Sequence, residues 1–139
     1  MPEVVLEIPA RPEYLLLARL VVSAAAELEP TFADERIDDL RLAVSEATTN
    51  AIEAHLGRAT EDRIVLRCDL GDDRIHVEVH DQGPGFDADA GAAGDVHALD
   101  EGGYGLPLMR GLTDETSITS GDDGTAVRLT VYVPARFRR

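Results

Sequence analysis

The sequence predicts an α+β fold, a two-layer sandwich with helices on one face of a mixed or antiparallel sheet. Three observations lead there. The runs Arg63 to Leu70 and Arg74 to His80 alternate apolar and polar residues and are joined by Gly71-Asp72-Asp73, as in a hairpin with one buried face. A second such pair, Glu115 to Thr119 and Thr125 to Val133, flanks Gly121-Asp122-Asp123-Gly124. Elsewhere the apolar residues recur at helical rather than strand spacing. Strands that come in adjacent pairs, instead of alternating singly with helices, favour α+β over a parallel sheet.

In chain order, Val4-Val5-Leu6-Glu7-Ile8 is a short first strand that stops at Pro9. Glu13 to Leu28 follows as a helix, with Leu15, Leu16, Leu20, Val21 and Ala24 at helical spacing, closed by Glu29-Pro30-Thr31. Asp34 is the expected N-cap of a second helix running to about His55, and Gly57 is its stop. Its apolar side is Ile37, Leu40, Ala43, Val44, Ala47 and Ala51. After the first hairpin, Asp81 to Gly103 is rich in Ala, Gly and Asp; in a small domain such a stretch is a functional lid or is disordered. Tyr104 to Leu112 reads as a short helix, with Pro107 tolerated in the first turn because no donor is needed there. No repeat or linker divides residues 1–139, so one domain is expected.

Composition narrows the function. The 27 acids exceed the 13 bases, every base is Arg, and the net charge is -14. Such a surface repels phosphate backbones and anionic lipid, which argues against direct nucleic-acid or membrane binding. Without Lys there is no Walker-type phosphate loop. The single Cys68 excludes an intramolecular disulfide and a cysteine zinc site, and its strand position suits an inert core thiol. The start Met1-Pro2-Glu3-Val4-Val5 lacks the pattern of a signal peptide, and no run approaches the ~20 apolar residues of a membrane span. A cytoplasmic protein is expected.

Four groups of residues can carry chemistry. Asp81 follows a strand and begins Asp81-x-Gly83-x-Gly85. A carboxylate accepts a hydrogen bond from the exocyclic amine of adenine and is repelled by the carbonyl oxygen of guanine, while glycines let backbone approach a flat ring. Alone, the pattern is equally that of an ordinary turn. On the second helix, Glu46, Asn50 and Glu53 share a stripe, either a solvated face or a site. The short neighbours Ala43, Ala47, Thr48, Thr49 and Ala51 leave room for a ligand. There Asn50 offers a neutral oxygen suited to Mg²⁺, and Glu46 could take a proton from an attacking hydroxyl. Glu101-Gly102-Gly103-Tyr104-Gly105-Leu106 opens the short helix, where bare amides and the helix dipole bind phosphate without Lys; a flexible joint is the competing reading. Arg110 serves a phosphate, a partner or the surface. Gly124-Thr125 opens the last strand, where a hydroxyl could reach a base edge.

Taken together, Glu46-x-x-x-Asn50-Ala51, Asp81-x-Gly83-x-Gly85, Gly103-x-Gly105-Leu106 and Gly124-Thr125 resemble the N box and three glycine boxes of the GHKL ATPase superfamily, with its Bergerat ATP-binding fold. The chain's size, the run Leu40 to Ala47 and the Glu101 to Leu106 segment are most similar to the anti-sigma-factor serine kinases of that superfamily. The resemblance implies a cytoplasmic anti-sigma factor that binds ATP and Mg²⁺, sequesters a sigma factor and phosphorylates a serine on a STAS-domain antagonist. It further implies a homodimer formed through the first strand and sheet edge, and an ATP lid at about residues 86–103. Carried over by position, Asn50 would hold Mg²⁺, Asp81 would bind adenine, and Gly83 and Gly85 would shape its pocket. Gly103, Gly105 and Leu106 would belong to the phosphate-binding box, Thr125 would support the base, and Glu46 would be the general base. The family often has His four residues after the N-box Asn; here Ala54 stands there and His55 follows, read as helix surface. The alternative within the same fold is a kinase-inactive partner-switching module. A histidine-kinase catalytic domain or a gyrase-type hydrolase fits less well, lacking a helical hairpin or further domains.

Overall fold

A computed structural model describes residues 2–28, 32–54, 63–71, 73–81, 105–121 and 124–132. Its elements are β1 (Glu3–Pro9), a 3-10 turn (Pro12–Tyr14), α1 (Leu15–Glu27), α2 (Asp34–Ala54), β2 (Arg63–Leu70), β3 (Arg74–Asp81), α3 (Gly105–Leu112), β4 (Glu115–Gly121) and β5 (Gly124–Tyr132). The five strands form one sheet in the order β1-β2-β3-β5-β4, and all four pairings are antiparallel. The expected α+β architecture is present, and the mixed-sheet variant drops out.

Strand alternation decides which face the helices cover. Three rows of paired residues cross all five strands on that face. One runs Val4, Cys68, Val77, Leu129, Thr116, and the next Leu6, Leu66, Val79, Val127, Ile118. Most of these side chains are fully or nearly fully buried; each large aliphatic removed from water contributes about 1.5–3 kcal/mol. The third row, Ile8, Ile64, Asp81, Thr125, Ser120, starts apolar and turns polar on the last three strands. Gly124, at the start of β5, has φ 117°, a conformation that requires glycine.

The helices lie over this face in the same order as the strands. α1 contacts β1 and β2, α2 contacts β2, β3 and β5, and α3 contacts α2 and β4. The expected apolar side of α2 is buried throughout, from Ile37 to Ala51. Two expectations need correction. Asp34 is the first residue inside α2 rather than its cap: the Ala33 carbonyl accepts from Arg36 N and Ile37 N. Its charge still suits the positive end of the helix. The predicted stripe of α1 is also displaced. Ala18, Val22, Ala25 and Ala26 are buried, whereas Leu16 and Leu20 are 61% and 58% exposed. α1 is apolar nearly all round, so periodicity could not choose a face, and the small residues pack closest. Gly57, His55 and the segment from Glu29 to Thr31 lie outside the described residues.

Cys68 sits on the inner face of β2, 1% exposed. Burial, aided by the neighbouring Asp69 charge, pushes its thiol up to about 11. The sign follows from the raised value: the thiol's contribution to stability is complete below pH 9 and is lost as pH rises toward 11. Native protein at pH 8 should therefore resist alkylation of Cys68, with labelling by a thiol reagent tracking denaturant-induced unfolding. Rapid labelling without denaturant would contradict the packing.

Candidate functional site

The polar end of the third row is where the sequence-predicted residues begin to meet. Asp81 is the last residue of β3, not the first residue after it, and it shares the parity of Ile75, Val77 and Val79. Period-two geometry therefore turns its carboxylate toward the helical layer, where it is 6% exposed. Its partner across β5 is Thr125, 5% exposed. The Thr125 hydroxyl lies 3.2 Å from that of Ser120, its partner on β4. Ser120 escaped the sequence reading, although a signal was present. A hairpin closed by Gly121 and Gly124 necessarily pairs 120 with 125.

Above this row runs α2. Arg36 donates to the Leu112 carbonyl at the end of α3, so α3 lies on the Arg36 flank of α2. Around the helix axis Asp39 and Asn50 lie within about 60° of Arg36, on that flank, and Glu46 lies about 80° away. Ser45 lies about 180° away from Arg36 around the helix axis. It is buried at 2% and bonded to α1, with Arg19 Nε donating to its Oγ at 2.7 Å. The Ser45 hydroxyl in turn donates to the Arg41 carbonyl at 2.8 Å. One flank of α2 thus belongs to α1, the other carries Asn50 on the Arg36 side, and Glu46 stands between them.

Glu46 and Asn50 are half-buried, while Glu53 is exposed, so the stripe divides into two candidate residues and one solvated one. The Asn50 Nδ2 is buried with no hydrogen-bond partner among the described residues. An unsatisfied buried amide donor costs about 1–3 kcal/mol, which a hydrogen-bond acceptor on a bound ligand would relieve. Among the described residues no group of three or more His, Cys, Asp or Glu could hold a metal. A cation here would take the Asn50 oxygen together with oxygens brought by a substrate, the habit of Mg²⁺. Gly105 and Leu106 form the N-terminus of α3, and Arg110 is exposed on it. Gly83, Gly85, Gly103 and the lid at 86–103 lie outside the described residues.

A buried acid and hydroxyl at one end of the sheet, with an amide and a carboxylate on the helix that packs against it, make this an α+β domain with a candidate nucleotide site. The model of the histidine kinase-like ATPase domain family matches residues 8–131. The serine-protein kinase RsbW of Bacillus velezensis is 38% identical over 137 residues, covering 92% of this chain and 84% of that protein. The protein of that name in Listeria innocua is 34% identical, covering 94% and 87%. Among solved structures, the RsbU and RsbW domains of a Mycobacterium tuberculosis protein superpose with a TM-score of 0.69 at 25% identity, covering 100% of this chain and 35% of that one. The histidine kinase domain of a blue-light-activated kinase from Erythrobacter litoralis shares the fold, with a TM-score of 0.55 at 20% identity over 91% of this chain and 62% of that one. The chain belongs to the histidine kinase-like ATPase family and, within it, to the RsbW-type serine-protein kinases. The family and serine-kinase readings made from the motifs are borne out, and ATP use follows from membership. The kinase-inactive alternative is not favoured. No helix among the described residues is long and apolar enough to cross a membrane.

Proposed function

We propose that this single domain is an anti-sigma factor and ATP-dependent serine kinase that sequesters a sigma factor and phosphorylates a STAS-domain antagonist. The observation that carries the site is the polar half-row Asp81–Thr125–Ser120, turned toward the helix that bears Glu46 and Asn50. Asp81 accepts from the adenine amine, Thr125 supports the base, and Gly83 and Gly85 bring backbone to the ring. Backbone amides at Gly103, Gly105 and Leu106 take the phosphates, aided by the dipole of α3. Asn50 would hold Mg²⁺ through its amide oxygen, and the ion when bound neutralises charge on the phosphates.

Glu46 orients the serine hydroxyl and accepts its proton. The serine oxygen forms a bond to the γ-phosphorus as the bond to the β,γ-bridging oxygen breaks, and ADP leaves. Phosphoryl transfer asks chiefly for this alignment and for charge stabilisation. The homodimer is assigned to the exposed edge strand β1. The surface that takes protein partners is assigned to a cleft of about 510 Å³ between α1 and α2, lined by Leu16, Leu20, Leu42, Arg19, Arg41 and Asp38, together with Ser45. Its exposed leucines supply apolar contact area, and its arginines supply donors to a partner.

The direct test is to mix the protein with Mg-ATP and the STAS protein that co-purifies from its host, and to look for phosphoserine; no transfer to any such protein would defeat the kinase assignment. D81N should abolish nucleotide binding by calorimetry, since an amide can present a donor where adenine needs only an acceptor; normal affinity would remove Asp81 from the base pocket. E46A should slow transfer about 10²–10⁴-fold while ATP affinity stays near that of the unsubstituted protein. L20D, at an exposed position, should leave ATP affinity unchanged and eliminate capture of the sigma factor or antagonist; unchanged capture would move the partner surface elsewhere.

A further inference from the structure

Arg36 lies in the first turn of α2, beside Asp34 and Glu35. A cation at that end runs against the helix dipole, which favours acids there. Its guanidinium instead reaches to the end of α3. Nη1 donates to Asp39 Oδ2 at 3.1 Å and to the Leu112 carbonyl at 3.5 Å, and Nη2 donates to Asp114 Oδ2 at 3.0 Å. Leu112 closes α3, so the positive charge stands at that helix's negative end. Asp114 Oδ2 also accepts from Tyr132 N at 2.7 Å, and Asp114 N donates to the Thr130 carbonyl at 2.9 Å. The C-terminal end of α3 is thereby tied to α2 through a guanidinium and to β5 through a carboxylate.

The other end of α3 is its mouth at Gly105. Eight residues span about 12 Å, and the ten steps from Arg36 to Glu46 span about 15 Å. α3 packs against α2, and α2 extends in only one direction from its first turn. The Gly105 end therefore lies toward the part of α2 that carries Glu46. We propose that the Arg36–Asp114 pair is a positioning device for the nucleotide. By fixing one end of α3 it sets where the opposite end stands relative to Glu46 and Asn50. This rests on the proposed nucleotide site. The two side chains are 28% and 42% exposed, and exposed pairs add little to folding stability. Their loss should consequently register in nucleotide binding more than in unfolding.

The test compares the unsubstituted chain with R36K, R36M, D114N and R36M/D114N, measuring affinity for a fluorescent ATP analogue and thermal unfolding for each. R36M and D114N should each weaken the analogue about tenfold, the scale of a slight misplacement of binding groups. The double variant should be no weaker than either single one. R36K should fall between, because an ammonium cannot span the three acceptors that the planar fork reaches. Single variants that bind within twofold of the unsubstituted chain, whatever their melting temperatures, overturn the proposal, as do single effects that simply add. Should Met at position 36 prevent folding, R36K and D114N give the same comparison. An unsubstituted chain that fails to bind the analogue defeats the nucleotide site itself, and this inference with it.

Discussion

The closeness of α2 to the sheet is the constraint on which the rest of the structure depends. Ala43, Ala47 and Ala51 recur every fourth residue and are at most 7% exposed, where larger side chains would hold the helix away from β3 and β5. Filling such a packed seam costs about 1–3 kcal/mol through displaced neighbours. The facing residues Val77, Val79, Val127 and Leu129 are branched and fully or nearly fully buried, so bulk comes from the sheet and clearance from the helix. Because the seam is thin, the helix that carries the half-buried Glu46 and Asn50 lies directly on β3 and β5, the strands that carry the buried Asp81 and Thr125.

Charge sets a second constraint. A chain of net charge -14 repels the polyanion that it is proposed to bind, and the described part of its site contributes two carboxylates. Asp81 is tolerable at the base end, where an acceptor is wanted and the phosphates are distant. At the phosphate end, attraction comes from amides and a helix dipole, from Arg110 on α3, or from a cation arriving with the nucleotide. The absence of Lys and the neutral Asn50 are consistent with that division.

The strands and α2 were legible in the sequence because their signals are local. Alternation from Ile75 to Val79 predicts a buried face, and extending it one step would have placed Asp81 inside the strand on that same face. The spacing of Ile37 to Ala51 predicts which side of α2 is covered. α1 was legible as a helix but not in orientation: its leucines and its alanines both recur at helical spacing, and only packing against the sheet and α2 together distinguishes them. The contacts of Arg36 were not legible at all, since Asp114 is 78 residues away and nothing local marks the pair. Asn50 and Asp81 stand out as candidate site residues through the order of the motifs, whereas the Asn50 Nδ2, with no hydrogen-bond partner among the described residues, is visible only in three dimensions.

Partner and nucleotide are assigned to adjoining stripes of one helix. Arg41, Leu42 and Ser45 line the cleft with α1, and Glu46 follows Leu42 by one turn, with Asn50 one turn further on. Residues four apart on a helix lie about 5–6 Å from each other at Cβ, so the two surfaces adjoin without sharing residues. A protein seated in the cleft therefore need not displace the nucleotide, and a switch between partners can proceed with ATP in place. The same geometry limits what the cleft can do by itself. A serine to be phosphorylated has to reach Glu46, one turn beyond Leu42, so a substrate partner must extend past the cleft along α2, whereas a partner that is only held need not. Sequestered and phosphorylated proteins would then differ in how far each reaches past a shared apolar anchor, rather than in whether each binds.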